Sequence, residues 1–120
     1  MSSEPNLPIL ILALEPDTAA QISYRARSVG CIPSAPREDE TALEAAFRLR
    51  PSAILIQVGR PELDGHNIEA VAKSLGASFI VFGDETPELH RIAAEHGGKR
   101  VAVNASRREF GMALDIASGA

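Results

Sequence analysis

Three short runs along the chain are apolar apart from Gln57, and the segments between them repeat apolar residues at intervals of three and four. The runs cover residues 9–14, 53–58 and 79–82, and they are typical of parallel strands that are covered on both faces. Residues 31–36 and 100–103 are weaker strand candidates. Because Pro33 and Pro36 cannot donate a hydrogen bond to a neighbouring strand, we expect the segment 31–36 at a sheet edge.

Amphipathic helices are predicted over residues 18–29, 40–50, 66–75 and 87–96, and from residue 107 onward. Asp17 is the expected N-cap of the first helix, while Thr41 with Glu44 and Ser106 with Glu109 have capping-box spacing. The apolar stripes expected to face the core are Ala19, Ile22, Ala26 and Val29; Leu43, Ala46 and Phe47; Ile68, Val71, Ala72 and Leu75; Leu89, Ile92 and Ala93; and Phe110, Leu114 and Ala117.

This alternation of strands and helices predicts an α/β fold with a five-stranded, mostly parallel sheet and helices on both faces. A proline-bearing second strand at the edge fits a flavodoxin-like doubly wound sheet of order 2-1-3-4-5. Residues 1–8 are polar with two prolines and are expected to form a flexible tail. Residues 9–120 are expected to form a single domain.

Composition narrows the classes of function. The net charge of −4 and the 4% of aromatic residues argue against a nucleic-acid partner. No apolar run approaches the roughly 20 residues of a membrane span, so no membrane association is expected. Cys31 is the single cysteine, which excludes an intramolecular disulfide and fits a reducing cytoplasm.

No constellation of catalytic or metal-binding residues stands out. His66, His90 and His96 lack close ligand spacing and have no cysteine pair beside them, so we expect solvated or helix-end histidines rather than a metal site. The segment 15–17 reads Glu-Pro-Asp where a nucleotide-binding loop would carry glycines. The prediction is a protein that is not an enzyme and has no cofactor.

Residues 52–65, which read SAILIQVGRPELDG, carry the most specific signal. With Glu-Pro-Asp at 15–17, Gly30 and the helix that ends at Pro51, they make the chain resemble a bacterial response-regulator receiver domain from residue 9 to about residue 117. The resemblance places Gln57 at the phosphoacceptor aspartate of that family. A primary amide is a poor nucleophile and cannot take the place of that carboxylate.

The other functional positions of the family are also occupied by residues without the required chemistry. The resemblance places the magnesium-binding acids on Ala13 and Leu14, the phosphoryl-orienting hydroxyl on Gly83, the conserved lysine on Asn104 and the switch aromatic on Val101. Glu15 and Asp84 each lie one residue beyond a family site, and we expect Glu15 to face solvent. The chain is therefore interpreted as a pseudo-receiver, a receiver domain that has lost its phosphorylation site.

Such a domain is expected to act in two-component signal transduction, outside the phosphorelay itself, as a phosphorylation-independent protein–protein interaction module. The expected partner is a signalling protein, and a homodimer through the last helices is a further option. The candidate partner face consists of His90, Arg91, Ala94, Glu95, Arg107, Arg108, Gly111 and Met112. Two alternatives stay open: this face is simply solvated, or the domain senses a small ligand in the vacated pocket through Gln57, Gly83 and Asn104.

Overall fold

The computed structural model describes residues 7–114. The strands are β1 (Leu7–Leu12), β2 (Cys31–Ser34), β3 (Ala53–Gln57), β4 (Ser78–Gly83) and β5 (Arg100–Ala102). The helices are α1 (Pro16–Ser28), α2 (Ala42–Leu49), α3 (Asn67–Ser74), α4 (Pro87–Glu95) and α5 (Arg107–Ala113), and a 3-10 turn, Pro61–Asp64, precedes α3. Since β1 begins at Leu7, the expectation of a tail through residue 8 was wrong for Leu7 and Pro8.

All five strands are parallel, and their order is β2-β1-β3-β4-β5, which confirms the predicted topology. Strand β2 lies at one edge, where Pro33 pairs with Ile9 without needing a second neighbour. Strand β5 forms the opposite edge. The three central strands are the uniformly apolar ones, because both of their faces are covered.

Two apolar clusters fill the space on either side of the sheet. Residues of α1 and α5, among them Ile22 and Phe110, pack with Ile11, Leu55 and Phe82 on one face. On the other face, α2, α3 and α4 contribute Ala45, Ala46, Ile68, Ala72, Leu89 and Ala93. Alternate residues of each central strand therefore serve opposite clusters, as a doubly wound sheet requires.

Local signals fixed most helix starts. Both predicted capping boxes are present at α2 and α5, and the Thr86 hydroxyl caps α4. Helix α1 begins two residues earlier than expected, with Glu15 rather than Asp17 as its N-cap. Pro16 explains this shift, since proline fits the first helical position, where no N–H bond is needed.

The expected burial of Phe47 was wrong, because 54% of its side chain is exposed. Helix α2 instead packs through Ala42, Ala45 and Ala46, whose small side chains let its backbone approach the sheet. Ala117 lies outside the described residues. Within residues 7–114, no helix is long and apolar enough to cross a membrane.

Candidate functional site

The carboxyl ends of β1 and β3 lie side by side and bring three of the predicted site residues together. Leu12 pairs with Ile56, so Ala13 and Leu14 leave β1 beside the last residue of β3, Gln57. The side-chain oxygen Oε1 of Gln57 accepts a hydrogen bond from the Leu14 backbone N–H at 2.7 Å. The amide that stands at the expected phosphoacceptor position is thus used to tie two loops of the molecule together.

The side chain of Leu14 extends over the loop that follows β3. Gly59 in that loop has a φ of 105°, and a Cβ atom added there would lie 3.0 Å from Leu14 Cδ1. The left-handed φ favours glycine at this position, and any side chain here would also have to displace the end of the Leu14 side chain. Leu14 remains 48% exposed, so it forms a lid over this edge and is not part of the core.

Arg60 completes this edge of the sheet, and sequence reasoning did not single it out. Its Nη1 donates to the Ala13 carbonyl oxygen at 2.9 Å, while Nε and Nη2 donate to the two carboxylate oxygens of Glu62 at 3.0 and 2.8 Å. Burial opposes ionisation of Glu62, but the hydrogen bonds from Arg60 outweigh it and hold the pKa of that carboxyl below its usual value. The spacing of Arg60 and Glu62 in a loop gave no signal that the arginine reaches back to β1.

The remaining predicted site residues do not join this group. Gly83 is buried at the end of β4 and packs against Val58, whose Cγ2 lies 3.5 Å from an added Cβ. Asn104 is exposed beyond β5, and Val101 is buried against the α1 side of the sheet. Glu15 and Asp84 are both exposed, as expected for Glu15. The structure therefore gathers Ala13, Leu14 and Gln57 but leaves Asn104 facing solvent.

Comparison with known proteins turns on structure, because no family model and no curated protein matches the chain. The chain superposes on the receiver domain of a sensor histidine kinase from Pseudomonas aeruginosa, crystallised with magnesium in its active-site cleft, with a TM-score of 0.71 and 22% identity over 92% of this chain and 96% of that one. The chain has the receiver-domain fold.

Two further solved structures have the same fold. The chemotaxis protein CheY4 of Vibrio cholerae matches with a TM-score of 0.69 and 17% identity over 92% of this chain and 98% of that one. A response regulator receiver protein from Burkholderia phymatum matches with a TM-score of 0.70 and 16% identity over 96% and 100%. Each comparison spans nearly the whole of both chains, so this chain carries the complete set of receiver-fold elements.

The candidate partner face of this receiver fold is mostly exposed, as predicted. His90, Arg91, Ala94 and Glu95 lie on the outside of α4, and Arg107, Arg108 and Met112 lie on the outside of α5. Met112 is the most exposed large apolar residue on this face, at 68%. An open groove of ≈ 780 Å³ runs along β5 beside α5; we call it the β5 groove. It is lined by Glu85, residues 98–102, Asn104, Ala105, Glu109, Met112 and Ala113.

Gly111 is an exception, and its predicted place on the partner face was wrong. It is buried, and an added Cβ would lie 3.8 Å from Val29 Cγ1, next to the end of α1. Helix α5 packs against α1 as well as against the sheet, so its buried arc includes Gly111 beside Phe110. The glycine therefore faces another part of the same domain and offers no backbone to a partner.

Acidic and basic side chains on the partner face differ in their pairing. The Glu85 carboxylate lies 2.6 Å from His90 Nε2, and the Glu95 carboxylate lies 3.1 Å from Arg91 Nη1. The Glu109 side chain accepts the backbone N–H of Ser106 in the α5 capping box. Within residues 7–114, by contrast, Arg100, Arg107 and Arg108 form no ion pair. Asp84 and Glu88, which are exposed nearby, also form no ion pair within the described residues, so the free positive charge is concentrated on β5 and the start of α5.

Two histidines that sequence spacing kept apart meet in the fold. His66 is the N-cap of α3 and His96 is the C-cap of α4, and their ring centroids are 5.0 Å apart. His96 ends a helix as expected, but only 4% of it is exposed. The Glu69 carboxylate lies between them. In the sequence, only His66 and Glu69, three residues apart at a helix start, indicate this cluster. His96 comes from a different helix.

Proposed function

We propose that this domain is a phosphorylation-independent protein-interaction module of two-component signalling, which binds an acidic surface of a partner protein through α4, β5 and α5. The hydrogen bond from Leu14 N–H to Gln57 Oε1 carries the proposal. Gln57 offers no carboxylate, and its side-chain oxygen is already engaged within the domain. The proposal also means that the domain is not an enzyme.

The residues at this edge do not fit a magnesium ion. Magnesium takes hard oxygen ligands in near-ideal octahedral geometry, and carboxylates usually anchor it. Ala13 and Leu14 supply no side-chain oxygen, and the Ala13 carbonyl oxygen accepts from the Arg60 guanidinium. Glu62 is in turn occupied by the same arginine. A fixed cation stands at the edge where a receiver fold would hold its metal.

The alternative of a ligand sensor has less support. It requires Gln57 and Asn104 to face a common open cavity at the carboxyl ends of the strands. The oxygen of Gln57 is instead bonded to Leu14, and Asn104 lines the β5 groove. A ligand would first have to break the Gln57 bond to the backbone.

The β5 groove and the free arginines beside it favour a protein partner. Lys99 O accepts from Val81 N and Val103 N donates to Gly83 O, so the alternating amides of Arg100 and Ala102 are directed away from β4. The Ala102 carbonyl oxygen already accepts from Ala105 N–H at 3.0 Å, which leaves Arg100 and the Ala102 N–H to pair with a short extended segment. Met112 offers an adaptable apolar contact beside them. The uncompensated arginines select acidic partners and suppress basic ones.

The phosphorylation part of the proposal is tested with the purified protein, acetyl phosphate and Mg²⁺. Intact-mass measurement is expected to show no phosphoryl adduct on the wild type or on Gln57→Asp, because the second variant restores the carboxylate but not the metal ligands. A receiver domain known to autophosphorylate is the positive control. A stoichiometric adduct on the wild-type chain would overturn this part.

The interaction part is tested by affinity capture from a lysate of the source organism, followed by binding measurements with the recovered protein. The double charge reversal Arg107→Glu with Arg108→Glu is expected to weaken binding at least about tenfold, while Lys73→Glu on the exposed surface of α3 leaves it unchanged. Circular dichroism verifies that each variant is folded. Equal binding by wild type and double variant would contradict the assignment of the surface.

A further inference from the structure

The cluster formed by His66, Glu69 and His96 has the composition of a metal site. Nδ1 of His96 lies 2.7 Å from Glu69 Oε1, and Nδ1 of His66 lies 3.1 Å from the same oxygen. Each side chain offers one potential ligand atom, and these three atoms lie within 4.8 Å of one another. The three groups come from two helices that pack on the same face of the sheet.

The three side chains of the cluster differ in their exposure to solvent. His96 forms the floor, with 3% of its side chain exposed and the Phe79 ring 6.1 Å from its own. Glu69 is partly covered at 32%, and His66 is open to solvent at 72%. The cluster borders a groove of ≈ 660 Å³, so a small ion can reach it from solvent.

The neighbouring cations do not occupy the cluster. Arg60 and Arg91 line the same groove, but Arg60 is held by Glu62 and Arg91 by Glu95. Among the described residues, Glu69 contacts no arginine or lysine, so its carboxylate is shared only by the two histidines.

We propose that His66, Glu69 and His96 bind a divalent transition-metal ion of the zinc class, with a fourth position open to water. Two imidazoles and one carboxylate are a donor set that zinc accepts in sites of this open kind. Magnesium and calcium, which prefer oxygen ligands, are not expected to bind. The three ligands are not residues of the Gln57 edge, although Arg60 of that edge lines the same groove, and the site does not depend on the proposed signalling role.

To accept the ion, the two carboxylate–imidazole distances must open, and the imidazole ligand atoms, which lie within 4.8 Å of each other, must reach a similar spacing. Ligand bonds of about 2.0–2.2 Å in a tetrahedral site place ligand atoms roughly 3.3 Å apart. The two Nδ1-to-Oε1 distances of 2.7 and 3.1 Å must therefore open by a few tenths of an ångström. His66 is exposed at the start of α3, so its ring is free to turn towards the other two ligands.

The test uses the full chain, freed of metal with a chelator and then titrated with Zn²⁺ in a calorimeter. We expect one ion per chain. His66→Gln and Glu69→Gln each remove one ligand and are expected to weaken binding by at least about tenfold. Both leave the buried His96 in place, so the fold is retained, and circular dichroism verifies this. Absorption of the Co²⁺-substituted protein is expected to show the visible bands of a four- or five-coordinate ion.

His90→Gln is the matched control, because His90 also contacts a carboxylate, Glu85, at 2.6 Å but has no third ligand among residues 7–114. It is expected to bind Zn²⁺ as the wild type does. Zn²⁺ is also expected to raise the melting temperature of the wild type and of His90→Gln by a few degrees, and to raise that of the two site variants less. Absence of saturable binding, equal binding by the site variants, or a loss in His90→Gln would overturn the proposal.

Discussion

Replacing Gly111 by alanine separates two roles for this glycine, which lies in the buried arc of α5. If the glycine served to admit a partner, an added methyl group would leave the isolated domain unaffected and would block binding. In the structure, the methyl group would point towards Val29 of α1, with 3.8 Å between the added Cβ and Val29 Cγ1. That distance is ordinary van der Waals contact, so we expect Gly111→Ala to stabilise the domain.

The magnitude follows from two terms. Alanine in a helix interior is favoured over glycine by about 1 kcal/mol, since it restricts the unfolded chain. Burial of the new methyl group against Val29 adds up to about 0.8 kcal/mol, reduced here because the neighbouring surface is only partly buried. The free energy of unfolding is expected to rise by about 1–1.5 kcal/mol. For a domain of this size, the melting temperature rises by roughly 3–6 °C.

Two other glycines provide controls in the same assay. Gly59→Ala is expected to destabilise the domain by on the order of 1–3 kcal/mol, because Gly59 has a φ of 105° and Leu14 Cδ1 stands 3.0 Å from the new Cβ. Gly65→Ala meets no atom within 4 Å at a φ of −121° and is expected to change stability little. Together the three variants cover a favourable, an unfavourable and a neutral environment.

Urea unfolding followed by circular dichroism measures all three free energies, and thermal melts give the matching temperatures. A fall in stability for Gly111→Ala would refute the reasoning, since it would mean that α1 and α5 pack too closely for a methyl group. Partner binding measured on the same variant is expected to equal that of the wild type. If the variant were stabilised but bound the partner more weakly, Gly111 would have to contact the partner.

Three further predictions concern single contacts. Gln57→Leu removes the acceptor for Leu14 N–H, and we expect a loss of about 0.5–1.5 kcal/mol together with faster hydrogen exchange of that amide, measured by NMR. Arg48 lowers the pKa of Glu40 to about 2, so this pair stabilises the fold above the ordinary carboxyl pKa and ceases to do so as the pH falls towards 2. Arg48→Ala should therefore raise the Glu40 pKa in a carboxyl NMR titration, and its stability deficit at pH 7 should shrink in acid. Ser106→Ala removes the hydroxyl that caps α5 and is expected to cost about 1 kcal/mol in urea unfolding.

The fold was predictable because its signals are local. The apolar run that became β3, the capping boxes, and Pro33 of β2 each constrain their own segment, whatever the rest of the chain does. Errors arose where a helix touches more than one neighbour. Periodicity alone gives each helix one apolar stripe, and it cannot show that α5 also packs on α1 and buries Gly111.

The candidate site was predictable only in part, for a related reason. The strand ends placed Ala13, Leu14 and Gln57 together, since carboxyl ends of neighbouring parallel strands meet at one edge. The reach of Arg60 back to the Ala13 carbonyl depends on the rotamer of a long side chain in a loop, for which the sequence has no periodic signal. The approach of His66 to His96 depends on how α3 and α4 are set on the sheet, across many intervening residues.

Helix α4 links the two surfaces to which the proposals assign function. His90 and Ala94 on its outer side belong to the partner face, while Arg91 and Glu95 belong to that face and also line the groove beside His96. An ion bound by His66, Glu69 and His96 would fix the end of α4 to the start of α3. By linkage, if the ion changes the affinity for the partner, the partner must change the affinity for the ion by the same factor. Partner affinity measured with and without Zn²⁺, in the wild type and in His66→Gln, shows whether the ion site and the partner face are thermodynamically coupled or independent. Equal affinities throughout would mean that α4 holds the same position whether or not the ion is bound.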